Sequence, residues 1–239
     1  MLRSRLGLLC FCALILGVMA MSASPAQGAM FWQILDSSGI KATELKAAVT
    51  ASGGPHLTLD GNVSNLQIAV TCSALSLTNV NLEVFGRLTE GGKIAFSGCK
   101  VYKTSPLTGE YKCTVKSAGA ATGTVESNEF KGALQLVSGN IRLKVEPLTG
   151  PTGNFATLRF EGAECVLPEL NQVHGAIYLR SGFITTHEYE HLFEPDSINT
   201  AIYIGGHSAI QLSLTKVLGS AWIQLVGAHL NQKWGVLDF

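Results

Sequence analysis

The segment His187-Glu188-Tyr189-Glu190-His191 matches H-E-x-x-H, the pattern of zinc-dependent hydrolases. On a helix, residues four apart lie ~5–6 Å from each other on one face. Two imidazoles so placed can both reach one Zn²⁺ at ~2.0–2.1 Å. Glu188 between them would then hold the bound water and deprotonate it. The chemistry therefore requires a helix, and the surrounding residues oppose one. Gly182-Phe183-Ile184-Thr185-Thr186 leads in with β-branched residues, and Pro195 follows His191 by four positions.

Phe183, Thr185, His187, Tyr189, His191 and Phe193 alternate against Ile184, Thr186, Glu188, Glu190 and Leu192. On a strand, residues i and i+4 face one way but stand ~13 Å apart. That is too far to share one ion. The extended form H-E-x-x-H-x-x-G-x-x-H also fails, because Glu194 stands at its glycine position. The reading preferred here is a strand or loop with solvated charges and no cofactor. The alternative is a zinc site with His187 and His191 as ligands and Glu188 as base, which His207 or His229 would approach from a neighbouring strand.

Other boxes are weaker. Gly86-Arg87-Leu88-Thr89-Glu90-Gly91-Gly92-Lys93 has the outline of a phosphate-binding loop, but Gly92 takes the lysine position. A hairpin turning at Glu90-Gly91-Gly92 is the expectation. Ser97-Gly98-Cys99-Lys100 fits S-x-x-K without the S-D-N or K-T-G partners that give that box meaning. No G-x-S-x-G elbow is present. Asn62-Val63-Ser64 is a glycosylation sequon for a host that modifies such sites.

The first residues set the compartment. Arg3 and Arg5 precede an uncharged apolar run from Leu6 to Met21, and small residues follow, with Ala26 and Gly28 at the −3 and −1 positions of a cleavage site. This layout predicts a signal peptide over residues 1–28. The run falls short of the ~20 residues that span a bilayer, and no later segment is long and charge-free enough to span. A secreted or envelope-associated mature chain, 29–239, follows.

Loss of Arg3 and Arg5 leaves 15 of the 17 basic residues against 17 acidic ones, a formal charge of −2. The charges are interspersed. With no basic stripe, nucleic acid is excluded as a partner; with no polybasic patch, so is an anionic membrane surface.

Cleavage also removes Cys10 and Cys12. Cys72, Cys99, Cys113 and Cys165 remain, an even number in an exported chain, which predicts disulfides. Of the three connectivities, Cys72–Cys99 with Cys113–Cys165 is preferred, because each ties neighbouring strand segments. The gaps between the four lack zinc-ribbon spacing.

Those cysteines must be positioned by strands. Period-2 alternation recurs in Leu66–Cys72, Lys93–Phe96, Thr122–Val125, Gly132–Val137, Ile141–Glu146, Ala156–Phe160, Gly175–Leu179, Ala201–Ile204, Ile210–Leu214 and Ala221–Val226, with Gly, Pro, Asn and Ser between. Short strands at such spacing predict an all-β antiparallel sandwich or barrel. One domain is expected, or two packed β-subdomains divided near residues 104–110 or 147–154. Ala42–Ala51 carries Leu45, Ala48 and Val49 at helical spacing, so one short helix near residues 42–51 competes there with a strand. Phe31-Trp32, Trp222 and Trp234 are expected as core or interface anchors rather than a carbohydrate platform, since aromatics make up only 8% of the chain and form no ladder, with Lys233–Phe239 a closing strand whose Trp234 packs inward.

The runs LQIAVTC (Leu66–Cys72), IAFSGC (Ile94–Cys99), KCTVKS (Lys112–Ser117), ATLRFEGAECVLP (Ala156–Pro168) and SAWIQLVGAHLNQKWGV (Ser220–Val236) resemble those of a group of uncharacterised exported β-rich bacterial proteins. The resemblance implies export and a β fold and supplies no catalytic residue. The functional expectation is a non-catalytic binding or structural module for an extracellular ligand or envelope component. The alternatives are the zinc-dependent hydrolase at 187–191 and an envelope or carbohydrate adhesin.

Overall fold

The computed structural model describes residues 30–35, 46–52, 57–103, 108–181, 185–195, 201–205 and 213–237. The stretch expected as a signal peptide, residues 1–28, and residues 42–45, 104–107 and His207 lie outside the described residues.

Among the described residues, nineteen strands follow one another: β1 (Phe31–Leu35), β2 (Lys46–Ser52), β3 (Leu57–Val63), β4 (Leu66–Cys72), β5 (Ala74–Thr78), β6 (Asn81–Glu83), β7 (Arg87–Ser97), β8 (Lys100–Tyr102), β9 (Thr114–Lys116), β10 (Val125–Glu126), β11 (Phe130–Val137), β12 (Asn140–Pro147), β13 (Asn154–Glu161), β14 (Leu170–Arg180), β15 (Glu190–Pro195), β16 (Ala201–Gly205), β17 (Ser213–Leu218), β18 (Ala221–Leu225) and β19 (Lys233–Leu237). Among the described residues the helical content is two 3₁₀ turns, at Val84–Gly86 and Gly227–His229.

Alternation explains the strands. In β12, Ile141, Leu143, Val145 and Pro147 are buried while Arg142, Lys144 and Glu146 lie on the other face. Ser138 and Gly139, at φ 51° and 76°, close the β11–β12 hairpin; two positive φ values match the twist of the strands they join.

Eight strands close an antiparallel barrel. β2 pairs β6, β6 pairs β7, β7 pairs β11, and β11 pairs β12. β12 then pairs β14, β14 pairs β15, β15 pairs β18, and β18 returns to β2. Closure leaves no free edge. The fold is thus the barrel member of the two architectures expected from sequence.

Two long strands carry the barrel into a second set of pairings. The C-terminal part of β7 pairs β5 and β10. The N-terminal part of β14 pairs β13 and β16, from which pairing runs through β17, β3 and β4 to β8, while β9 borders β13. The outer strands β8 and β9 meet without a regular ladder. Tyr102 bridges Glu110, the Cys99 N–H donates to the Gly123 carbonyl, and the Gly123 N–H donates to the Val115 carbonyl. Both disulfides flank this seam. Cys72–Cys99 joins the end of β4 to the start of β8, and Cys113–Cys165 joins the start of β9 to the loop after β13.

Residues 46–52 form β2, the strand alternative of the two left open there, because Val49 through Ser52 pair with Leu225 through Trp222 and Lys46 through Ala48 pair with β6; ladder bonds outweigh a modest helix propensity. Two sequence expectations are corrected. Glu90-Gly91-Gly92 is no turn. β7 runs through it, with Gly91 at φ 90° and a register shift against β11 between Phe130 and Gly132, a bulge that bends the strand between the two sets. The 122–125 run is strand only from Val125.

The first and last described strands pair with each other. β1 and β19 form an antiparallel ladder that places Trp32 opposite Val236 and Ile34 opposite Trp234. Trp32, Ile34, Trp234 and Val236 are all buried.

Candidate functional site

The H-E-x-x-H segment divides by alternation. His187 is half-buried, Glu188, Tyr189 and Glu190 are exposed, and His191 is completely buried. From Glu190 the chain is strand β15, whose Glu190, His191, Leu192 and Phe193 lie opposite Gln224, Ile223, Trp222 and Ala221 of β18. His191 and Phe193 point into the protein; Glu190 and Leu192 point out.

The segment is clasped to β19. Glu188 forms a two-way bridge with Trp234: its N–H donates to the Trp234 carbonyl at 3.2 Å, and the Trp234 N–H returns a bond at 2.9 Å. The Trp234 indole N–H donates to the Tyr189 carbonyl at 3.2 Å. His191 Nε2 donates to the Trp234 carbonyl at 2.6 Å. The indole of Trp234 meets the His191 ring edge-on at 4.4 Å and stacks on Phe193 at 6.4 Å.

This arrangement does not make a zinc cradle. A metal-binding imidazole needs a free nitrogen lone pair aimed at the ion. His191 spends Nε2 on a backbone carbonyl, and its Nδ1 is enclosed in the protein. Burial is the largest influence on its pKa and pushes it below the usual imidazole range. The Trp234 carbonyl and Glu188 act upward against it, and His187 acts downward. His229, the other histidine offered as a third ligand and present among the described residues, bonds Gln232 Oε1 through Nδ1 at 2.8 Å. Among the described residues, no cluster of three or more His, Cys, Asp and Glu side chains could hold a metal ion.

The outward side of the same segment makes a groove of about 520 Å³ between β15, β18 and the turn before β19. Its walls include Glu188, Tyr189, Glu190, Trp222, Gln224 and Asn231, with Leu225 at its base. Tyr189 is 53 % exposed and Trp222 39 %. Of the core and interface roles expected for Trp222, its exposure rules out the core. Ala221, Ile223 and Leu225 take the inner face of β18, and alternation sends Trp222 out. The Lys233 ammonium lies 5.4 Å from the Tyr189 ring centre, over the ring. Asn231 holds φ 63° in the turn, a conformation asparagine tolerates.

No protein-family model, no curated protein and no solved structure matches this chain. The groove is thus read from its own chemistry. Exposed aromatic rings beside carboxylates and amides, carried on paired strands, can stack on an apolar face and accept several hydrogen bonds at once. Sequence reasoning found Glu188 and Glu190 only as parts of a zinc motif. The outward parity of Trp222 with Gln224 was the available signal for the rest.

Proposed function

We propose that this chain is an exported, non-catalytic binding module that holds a polyhydroxylated ligand of the carbohydrate class in the groove beside β15 and β18. The observation that carries the reading is the presence of two exposed rings, Tyr189 and Trp222, in one groove with Glu188, Glu190, Gln224 and Asn231. The C–H face of a sugar ring packs on such rings while its hydroxyls donate to carboxylate and amide oxygens. Rigid strands keep the ordering cost of binding low.

Two disulfides and the absence, among the described residues, of any helix long and apolar enough to cross a membrane are compatible with an extracellular chain. Export itself rests on residues 1–28. Amino-terminal sequencing of the secreted protein is expected to begin near Ala29.

A glycan array tests the binding reading. Selective signals that vanish in Trp222→Ala, with thermal stability retained, are expected; uniform silence of the folded wild type defeats it. Stoichiometric zinc in protein purified without chelator, lost in His187→Ala, would instead favour a hydrolase.

A further inference from the structure

We propose that the interior of the barrel is a second binding site, taking a small uncharged hydrocarbon about the size of one aromatic ring. In a fully packed eight-stranded barrel, the inward side chains meet and fill the axis. Here they do not. Ile94 of β7, Ile177 and Leu179 of β14 and Ile223 of β18 stay only half-buried around a cavity of about 130 Å³, which Leu77 of β5 and Val217 of β17 also line. Trp32 and Trp234 of the terminal strand pair form part of the same wall. A second cavity of about 80 Å³ adjoins it, sharing Phe96, Phe155, Ile177 and Val217.

The walls name the guest. They are built from apolar side chains, so a water molecule inside would lack the two to four polar partners it needs. An engineered apolar cavity of about 150 Å³ in another protein stays dry and takes up benzene. A charged or hydroxylated guest would surrender its hydration with nothing in return. The sugar-binding groove and this cavity thus select opposite chemistries, and either can exist without the other.

Benzene is the probe, titrated into the full mature chain while the ¹³C-methyl signals of Ile94, Ile177 and Ile223 and the indole signal of Trp222 are followed. Saturable shifts of the three methyls, an unmoved Trp222, and a rise in melting temperature with benzene concentration are expected. Benzylammonium should leave the methyls unmoved. Leu77→Phe and Val217→Phe each add bulk to the cavity, and either one that folds should weaken benzene binding at least tenfold. Absence of saturable methyl shifts in the wild type overturns the proposal whatever the variants do. So does a folded Leu77→Phe protein with unchanged benzene affinity, or a response to benzylammonium equal to that for benzene.

Discussion

The Nε2 of His191 and the backbone oxygen of Trp234 lie 2.6 Å apart, joining the barrel strand β15 to the terminal strand β19. A carbonyl only accepts, so Nε2 carries the proton and Nδ1 is left as an acceptor. That Nδ1 is buried and has no hydrogen-bond partner. Adding a proton there would place a charge among Trp234, Phe193 and the apolar interior.

The first prediction concerns pH. The folded pKa of His191 lies below its unfolded value, with Glu188 and His187 the titratable groups that act on it. The contribution is fully present above the unfolded pKa of about 6.5. Below that pH the unfolded imidazole takes up a proton that the folded one refuses, so stability falls until the folded pKa is passed. Melting temperature should drop between roughly pH 7 and pH 5. His191→Phe should cost about 1–2 kcal/mol at neutral pH through the lost hydrogen bond. Its deficit relative to wild type should shrink as pH falls. Parallel melting curves for the two proteins across that range would refute the assignment.

Trp234 supplies a second test. Its indole N–H bonds the Tyr189 carbonyl, and its ring packs against Trp32, His191 and Phe193. Trp234→Phe keeps most of the packing and should cost about 1–2 kcal/mol. Trp234→Ala should cost about 3–5 kcal/mol, since a buried large aromatic is deleted. Urea midpoints at unchanged slope measure both. Equal losses would mean that packing around Trp234 matters less than its hydrogen bond.

The disulfides give a third. Cys113 and Cys165 are separated by 52 residues, and Cys72 and Cys99 by 27. On the chain-entropy account, the longer loop is worth about 4 kcal/mol and the shorter about 3.5 kcal/mol. Paired Cys→Ala variants should follow that order. After reduction, hydrogen exchange should rise first at Cys99 and Tyr111, whose amides bond across the β8–β9 seam to the Gly123 and Val101 carbonyls. Earlier loss of protection in β11 and β12 would contradict the seam's dependence on the bridges.

A fourth concerns the close approach of β11 to β7. A Cβ on Gly132 would stand 2.7 Å from Leu88 Cδ1 and 3.2 Å from the Lys144 carbonyl oxygen. Gly132→Ala should therefore destabilise by about 1–3 kcal/mol, in the range of core overpacking. An unchanged or raised melting temperature would show that Leu88 moves aside freely.

Most strands were legible because alternation is a local property. Ile141, Leu143 and Val145 announce their shared face without reference to any partner, and the closing strand with Trp234 inward could be read the same way. The cysteine pairing followed from strand neighbours. The errors and the open alternative lie where distant partners overrule local chemistry. Glu90-Gly91-Gly92 carries turn residues, yet β5, β6, β10 and β11 hold β7 together across it. Val49 sits in a helix-compatible run, yet Leu225 opposite makes it a strand residue.

From the sequence alone came the all-β class, the faces of strands such as β11, β12 and β13, and the two cysteine pairs, since all depend on short-range periodicity and strand adjacency. Tertiary structure decided the rest. Closure of β2 through β18 sets the barrel's bore, which strand number and stagger determine rather than any one strand's residues. Among the described residues, that bore leaves Ile177 and Ile223 short of filling the axis. The β15–β18 register lays Glu190 against Gln224, on the same groove that Tyr189 and Trp222 line. His191, offered by its motif as a metal ligand, became the inward tie to Trp234 because a strand sends alternate side chains to opposite faces.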